Sequence, residues 1–184
     1  PMNGLVWMAD YDDMLAQVKA KLRQGFRCIK LKIGAIDWQD ELRLISTIRS
    51  RFSPDTLELR VDANGAWSPS EAEEKMTALA QYGIHSIEQP IAPYQWKEMA
   101  HLCHLQEEAK AQGRKYLPVA LDEELIGVNS LEEKRLMLDT IRPQYIVIKP
   151  TLHGGMTGSI EWASEAGKRG IPSWMTSALE SNIG

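Results

Sequence analysis

Short apolar runs rich in β-branched residues recur along the chain at about thirty-residue intervals. Between them lie longer stretches in which apolar residues return every three or four positions. The short runs predict strands over 5–8, 28–33, 57–61, 86–88, 118–121, 145–149 and 173–176. The longer stretches predict helices, among them 14–24 with Leu15, Val18 and Leu22 on one face, and 38–51 with Leu42, Ile45 and Ile48 on one face. Ser68, followed by Pro69 and Glu71, has the form of a helix N-cap with proline at the first helical position. Gly25, Gly83 and Gly170 each fall where a helix must stop before the next strand. The alternation predicts a parallel α/β fold of seven strand-helix units.

Periodicity alone allows either a doubly wound open sheet or a barrel. The polar residues favour the barrel. Neither GxGxxG nor GxxxxGK[ST] follows the first strand, whereas charged residues end nearly every strand, which is how a barrel assembles a site at its mouth.

Composition narrows the function without fixing it. With 184 residues, 43% of them hydrophobic and 25% charged, the chain can build one sizeable core, and one domain is the default. A net charge of −4 from interspersed acidic and basic residues leaves no one-signed basic face, which argues against nucleic acid or a membrane surface as partner. A small molecule fits better. No stretch approaches the roughly 18 consecutive apolar residues of a membrane span, and no charged-then-apolar leader is visible, so the chain reads as cytoplasmic. Cys28 and Cys103 form no CxxC pair and read as reduced thiols at apolar positions. Pro1 opens the chain and a polar run over 176–182 closes it. The expectation is therefore a fragment, with residues 1–184 forming a barrel catalytic domain incomplete at both ends.

The chemistry lies at the strand ends. In Ile29-Lys30-Leu31-Lys32-Ile33 the two lysines project from one face of a strand and the apolar residues cover the other. Such a pair suits a barrel mouth, where each cation lowers the pKa of the other and can leave one amine neutral as a base. For this motif alone, a solvated edge strand is the competing account. Three later strands end in carboxylates, Val61-Asp62-Ala63-Asn64, Ile87-Glu88-Gln89-Pro90 and Ala120-Leu121-Asp122-Glu123. Converging at one mouth, they would repel one another unless a divalent cation neutralised them, and an oxygen-only set on rigid strands favours Mg²⁺. Val147-Ile148-Lys149-Pro150 adds a third lysine, roughly across the barrel from the first two. Together these groups suit removal of a proton beside a carboxylate.

Taken in order and spacing, Lys30-Leu31-Lys32, Asp62-Ala63-Asn64, Ile87-Glu88-Gln89-Pro90, Leu121-Asp122-Glu123 and Ile148-Lys149-Pro150 resemble the enolase superfamily, specifically its muconate-lactonizing subgroup. This superfamily is itself a standard example of a lysine or histidine base working with Mg²⁺. Within the subgroup, Asn3-Gly4-Leu5-Val6-Trp7, Thr151-Leu152-His153-Gly154-Gly155 and the closing segment 177–184 resemble the o-succinylbenzoate synthases of menaquinone biosynthesis. The resemblance implies a TIM-like (β/α)7β barrel, here about seven strand-helix units, with a capping domain and a closing strand absent. It implies Mg²⁺, with Mn²⁺ as an alternative, on Asp62, Glu88 and Asp122. It implies Lys32 as the base, Lys30 as its modulating neighbour and Lys149 as the cation that stabilises the developing enolate. Lys32 would then return the proton to the departing hydroxide in a syn elimination, converting a succinyl-hydroxycyclohexadiene carboxylate to an aromatic product. Asn64, on the Asp62 strand face, is a candidate to orient a ligand or metal-bound water, and Thr176 and Ser177 are candidates to meet a substrate carboxylate.

Three other readings stay open on the sequence. An N-acylamino-acid racemase or dipeptide epimerase would use Lys32 and Lys149 as opposed acid and base. A barrel aldolase would form a Schiff base on Lys149. A barrel fragment without activity would keep the same residues. His101 and His104, spaced for a helix face, read as ordinary histidines, His153-Gly154-Gly155 as a glycine turn, and the six tryptophans as packing residues.

Overall fold

A computed structural model describes residues 2–178. Its strands are β1 (Gly4–Val6), β2 (Cys28–Lys32), β3 (Glu58–Asp62), β4 (Ser86–Glu88), β5 (Val119–Leu121), β6 (Tyr145–Ile148) and β7 (Ser173–Met175). Its helices are α1 (Tyr11–Arg23), α2 (Trp38–Arg49), α3 (Pro69–Leu79), α4 (Trp96–Ala111), α5 (Leu131–Ile141) and α6 (Gly155–Lys168). All seven strands form one sheet in sequence order, and every neighbouring pair is parallel.

The sheet curls. The Arg60 guanidinium on β3 lies 4.2 Å from the centre of the Trp174 ring on β7. Residues separated by three intervening strands meet in this way only if the sheet bends round on itself, which decides between the barrel and the flat doubly wound sheet. Among the described residues no ladder joins β7 to β1. The observed architecture is thus a curled half-barrel. β2 lies between β1 and β3, which excludes the edge-strand account of the two lysines.

The core fills the space between the outer sheet face and the helices. Ile29, Leu31, Leu59, Val61, Ile87, Val119, Leu121, Ile146 and Ile148 point outward from the strands into this layer. Met14, Val18, Leu44, Ile45, Ile48, Met76, Leu102, Leu138 and Trp162 meet them from the helices. Strand parity therefore sends the alternate residues, Lys30, Lys32, Asp62, Glu88 and Asp122 among them, to the inner face.

Local signals set the boundaries. Ser68 and Glu71 form a reciprocal capping box with Pro69 at the first turn of α3. α1 starts at Tyr11, three residues before the predicted start, because the Asp10 side chain accepts the Asp13 N–H. On α2, Leu44 is buried with Ile45 and Ile48, whereas Leu42 packs only partly against the core. Gly83, with φ +59, turns the chain before β4, and a Cβ there would lie 2.7 Å from Pro54 Cγ. Both cysteines are free. Cys103 is buried in the core, but Cys28 is on the inner face rather than at an apolar position, with its thiol donating to Glu58 Oε1 at 3.3 Å. Burial and the Glu58 charge push the Cys28 thiol up to about 12. No helix among the described residues is long and apolar enough to cross a membrane.

Candidate active site

β2 and β3 are paired so that Lys30 faces Arg60 and Lys32 faces Asp62, and β3 and β4 so that Asp62 faces Glu88. This register brings groups 58 residues apart in sequence into contact. Lys30 Nζ donates to Asp62 Oδ2 at 3.0 Å and to both Glu88 oxygens at 3.0 and 3.1 Å. Lys32 Nζ donates to the same Asp62 oxygen at 2.6 Å and to Asn64 Oδ1 at 2.7 Å. On the other side, Lys149 Nζ is hydrogen-bonded to Asp122 Oδ2. The three lysines thus flank the carboxylates, two on the Asp62 side and one on the Asp122 side.

Asp62, Glu88 and Asp122 each present a ligand oxygen within 4.8 Å of the others, and all three side chains are buried. Burial pushes the Glu88 carboxyl well above the usual range, and the neighbouring Asp62 charge adds to the effect. Burial acts in the same direction on Asp62, but Lys30 and Lys32 outweigh it and hold that carboxyl low. Asp122 Oδ1 is buried without a hydrogen-bond partner. A hard divalent cation would supply the missing partner and relieve the repulsion, so this oxygen-only set fits one. The described residues hold no other group of His, Cys, Asp or Glu so arranged.

The expectation that one lysine lowers the pKa of the other is not met at Lys30. Burial would lower its ammonium, but Glu88 and Asp62 more than offset this and raise it. Two cations weighed without the carboxylates they touch give the wrong sign. Asn64 sits past the end of β3 in a left-handed turn, with φ +46, and its side chain meets the same Lys32 amine as Asp62. From there Asn64 Nδ2 donates to Glu123 Oε1 at 2.7 Å while its oxygen accepts from Lys32.

Thr176 and Ser177 line a cavity of about 670 Å³ together with Lys30, Lys32, Lys149 and Leu152, so they sit near the lysines. The segment 179–184 lies outside the described residues. His101 and His104 are exposed and lie 3.5 and 3.4 Å from Glu73 and Glu108. His153 is buried in the glycine turn that precedes α6, and its Nδ1 accepts the Lys149 N–H at 3.0 Å. Burial pushes its imidazole down to about 4, so the ring is neutral with its proton on Nε2.

Sequence reasoning missed the layer beneath the lysines. Arg60, Trp174, Tyr145 and His85 lie against one another in turn, with Tyr145 and Trp174 tilted by 53° at 5.5 Å between centroids and His85 stacked on Tyr145 at 5.0 Å. Trp174 and Arg60 line the same cavity as Lys30, and so does Trp7, so two of the six tryptophans are at the site. The signal was present in Glu58-Leu59-Arg60-Val61-Asp62, which repeats the inner-face alternation of the lysine strand.

The model of the family described as enolase C-terminal domain-like matches residues 13–184. The chain belongs to this family. Over 184 residues it is 51% identical to o-succinylbenzoate synthase of Desulfotalea psychrophila, covering all of this chain and 47% of that protein. It is 32% identical to N-succinylamino acid racemase of Thermus thermophilus, covering 94% of this chain and 42% of that protein. The crystal structure of MenC from Desulfotalea psychrophila superposes with a TM-score of 0.86 at 49% identity, covering all of this chain and 48% of that one. The chain spans about half the length of these relatives. As an enolase-family half-barrel, it carries its buried acidic triad at the ends of three adjacent strands.

Proposed function

We propose that the chain carries the catalytic mouth of a Mg²⁺-dependent carbon-oxygen lyase of the o-succinylbenzoate synthase type. The substrate would be 2-succinyl-6-hydroxy-2,4-cyclohexadiene-1-carboxylate, a small carboxylate, and the product o-succinylbenzoate. The observation that carries this reading is the buried triad flanked by lysines on both sides, joined to 51% identity with a synthase. Asp62, Glu88 and Asp122 would hold the ion. When bound, Mg²⁺ would bind the substrate carboxylate and lower the energy of the charge that develops on it.

The residues divide the remaining work. Lys32 Nζ takes the proton α to the carboxylate and returns it to the hydroxyl as that group leaves as water. Asp62 and Asn64 hold the amine in place from two directions. Lys30 is engaged by three carboxylate oxygens and acts as a fixed positive charge beside Lys32. Lys149, on the far side, stabilises the enolate by its charge. Thr176 and Ser177, in the shared cavity, meet the second carboxylate. The two free thiols support a cytoplasmic setting.

A second reading has specific support. Lys149 faces the triad from the side opposite Lys32, as a two-base racemase requires, and one relative is named a racemase. Nothing comparable favours the Schiff-base account, which gives the buried acidic triad beside Lys149 no part to play. The two supported readings separate on substrate. Supplied with Mg²⁺, the protein is expected to dehydrate the cyclohexadiene carboxylate faster than it exchanges the α-proton of an N-succinylamino acid in D₂O. Exchange from both faces of the amino acid without dehydration would replace the synthase by the racemase.

A further inference from the structure

The three carboxylates come from three strands, so their spacing depends on how the strand ends are fastened. The ladder is thin there, since β4 and β5 share two paired positions, Ile87 with Val119 and Glu88 with Ala120. Gln89, directly after Glu88, has φ +40, a conformation that a residue with a Cβ keeps only where its surroundings hold it. Its side chain is fully buried and fully engaged. Gln89 Oε1 accepts the Asp122 N–H at 3.3 Å and the Glu124 N–H at 3.2 Å. Its Nε2 donates to Ile91 O at 2.9 Å and to Glu124 Oε2 at 3.1 Å.

The backbone of Gln89 completes the arrangement. Its N–H donates to Ala120 O at 3.0 Å, and its carbonyl accepts the Gly65 N–H at 2.7 Å. One residue is therefore bonded to the turn after Asp62, to the strand leading to Asp122, and to Asp122 itself. Glu124, also buried, fixes the clamp from outside, because its second oxygen accepts the Tyr94 N–H at 2.7 Å.

We infer that Gln89, locked by Glu124, is a positioning residue that sets the separation of the Glu88 and Asp122 carboxylates and thereby the affinity of the triad for a divalent cation. The inference rests on the proposal that the triad holds such a cation. A purely structural Gln89 would contribute to stability alone, leaving the metal affinity of the folded protein unchanged. A positioning Gln89 moves both, since partners of metal ligands commonly change affinity by about 10- to 100-fold.

The test uses Mn²⁺ alone as probe, followed by the electron paramagnetic resonance signal of the free ion, with thermal unfolding measured in parallel. Gln89→Leu leaves the Asp122 and Glu124 N–H groups without an acceptor. Gln89→Glu keeps that acceptor but sets a carboxylate against Glu124 and against the Ile91 carbonyl. The double variant Gln89→Glu/Glu124→Gln restores a donor-acceptor pair of reversed polarity at the wild-type net charge.

Both single variants, where folded, are expected to bind Mn²⁺ about 10- to 100-fold more weakly, and the double variant to recover part of the loss, the bond to the Ile91 carbonyl remaining unmade. An added carboxylate would by charge alone strengthen cation binding, so weaker binding by Gln89→Glu reports position. Wild-type affinity in destabilised single variants, or no recovery in the double variant, overturns the inference while leaving the metal reading standing. Absence of Mn²⁺ binding by the unaltered protein overturns both, and does so before any variant is compared.

Discussion

Lys32→Ala is expected to reduce kcat for dehydration by about a thousandfold, within the range of roughly 10²–10⁴ that a positioned base contributes. KM and Mn²⁺ affinity should change little. The separation of effects follows from the contacts: with Lys32 gone, Asp62 still receives Lys30 at 3.0 Å, so the triad keeps a balancing cation. Only the amine facing Asn64 is lost. A fall in kcat at nearly constant KM marks an interaction made in the transition state. Steady-state kinetics beside a metal titration check this, and a kcat within about tenfold of the unaltered protein would remove Lys32 from the role of base.

Glu88→Gln is expected to have opposite effects with and without metal. Burial and the Asp62 charge hold the Glu88 pKa above its ordinary value of 4.5. The folded metal-free protein therefore keeps a proton that the unfolded chain releases, and stability falls as pH rises from that ordinary value through the raised one. Glutamine mimics the protonated form. The metal-free variant should unfold at a higher temperature than the parent at pH 8 and show no gain at pH 4, with about 2–4 °C for each kcal/mol relieved. The stabilisation that a saturating divalent cation gives the parent, about 2.7 kcal/mol at a hundred times Kd, should disappear in the variant. Thermal unfolding at the two pH values, with and without Mg²⁺, reads both effects. A metal-free variant less stable than the parent at pH 8 would show that the attraction of Lys30 outweighs the burial of Glu88.

Much of this architecture was legible because strand parity is a strict rule. Alternation in Cys28–Lys32 and Glu58–Asp62 sends the apolar residues to the helices and the charged ones to the mouth. An acid at each of three strand ends then specifies the triad before any distance is known. What alternation does not carry is the conformation just past a strand. Asn64 and Gln89 adopt positive φ just past their strands, and the partners their side chains reach, Lys32 and Glu123 for Asn64 and Glu124 for Gln89, do not follow from alternation. Similarly, the shift at Lys30 depends on carboxylates 32 and 58 residues away, and its direction follows only from their distances. The start of α1 is a different case. Asp10 before Tyr11, with Asp12 and Asp13 in the first turn, is a start signal that apolar spacing alone passed over.

On the function proposed for this mouth, proton removal depends on a cation held by Asp62, Glu88 and Asp122. The decisive experiment follows conversion of the cyclohexadiene carboxylate to o-succinylbenzoate after exhaustive chelation and again after Mg²⁺ is restored. The expected result is no turnover above the uncatalysed rate in the chelated protein and full recovery with Mg²⁺. Turnover that persists undiminished through chelation, in protein confirmed free of metal, would contradict it.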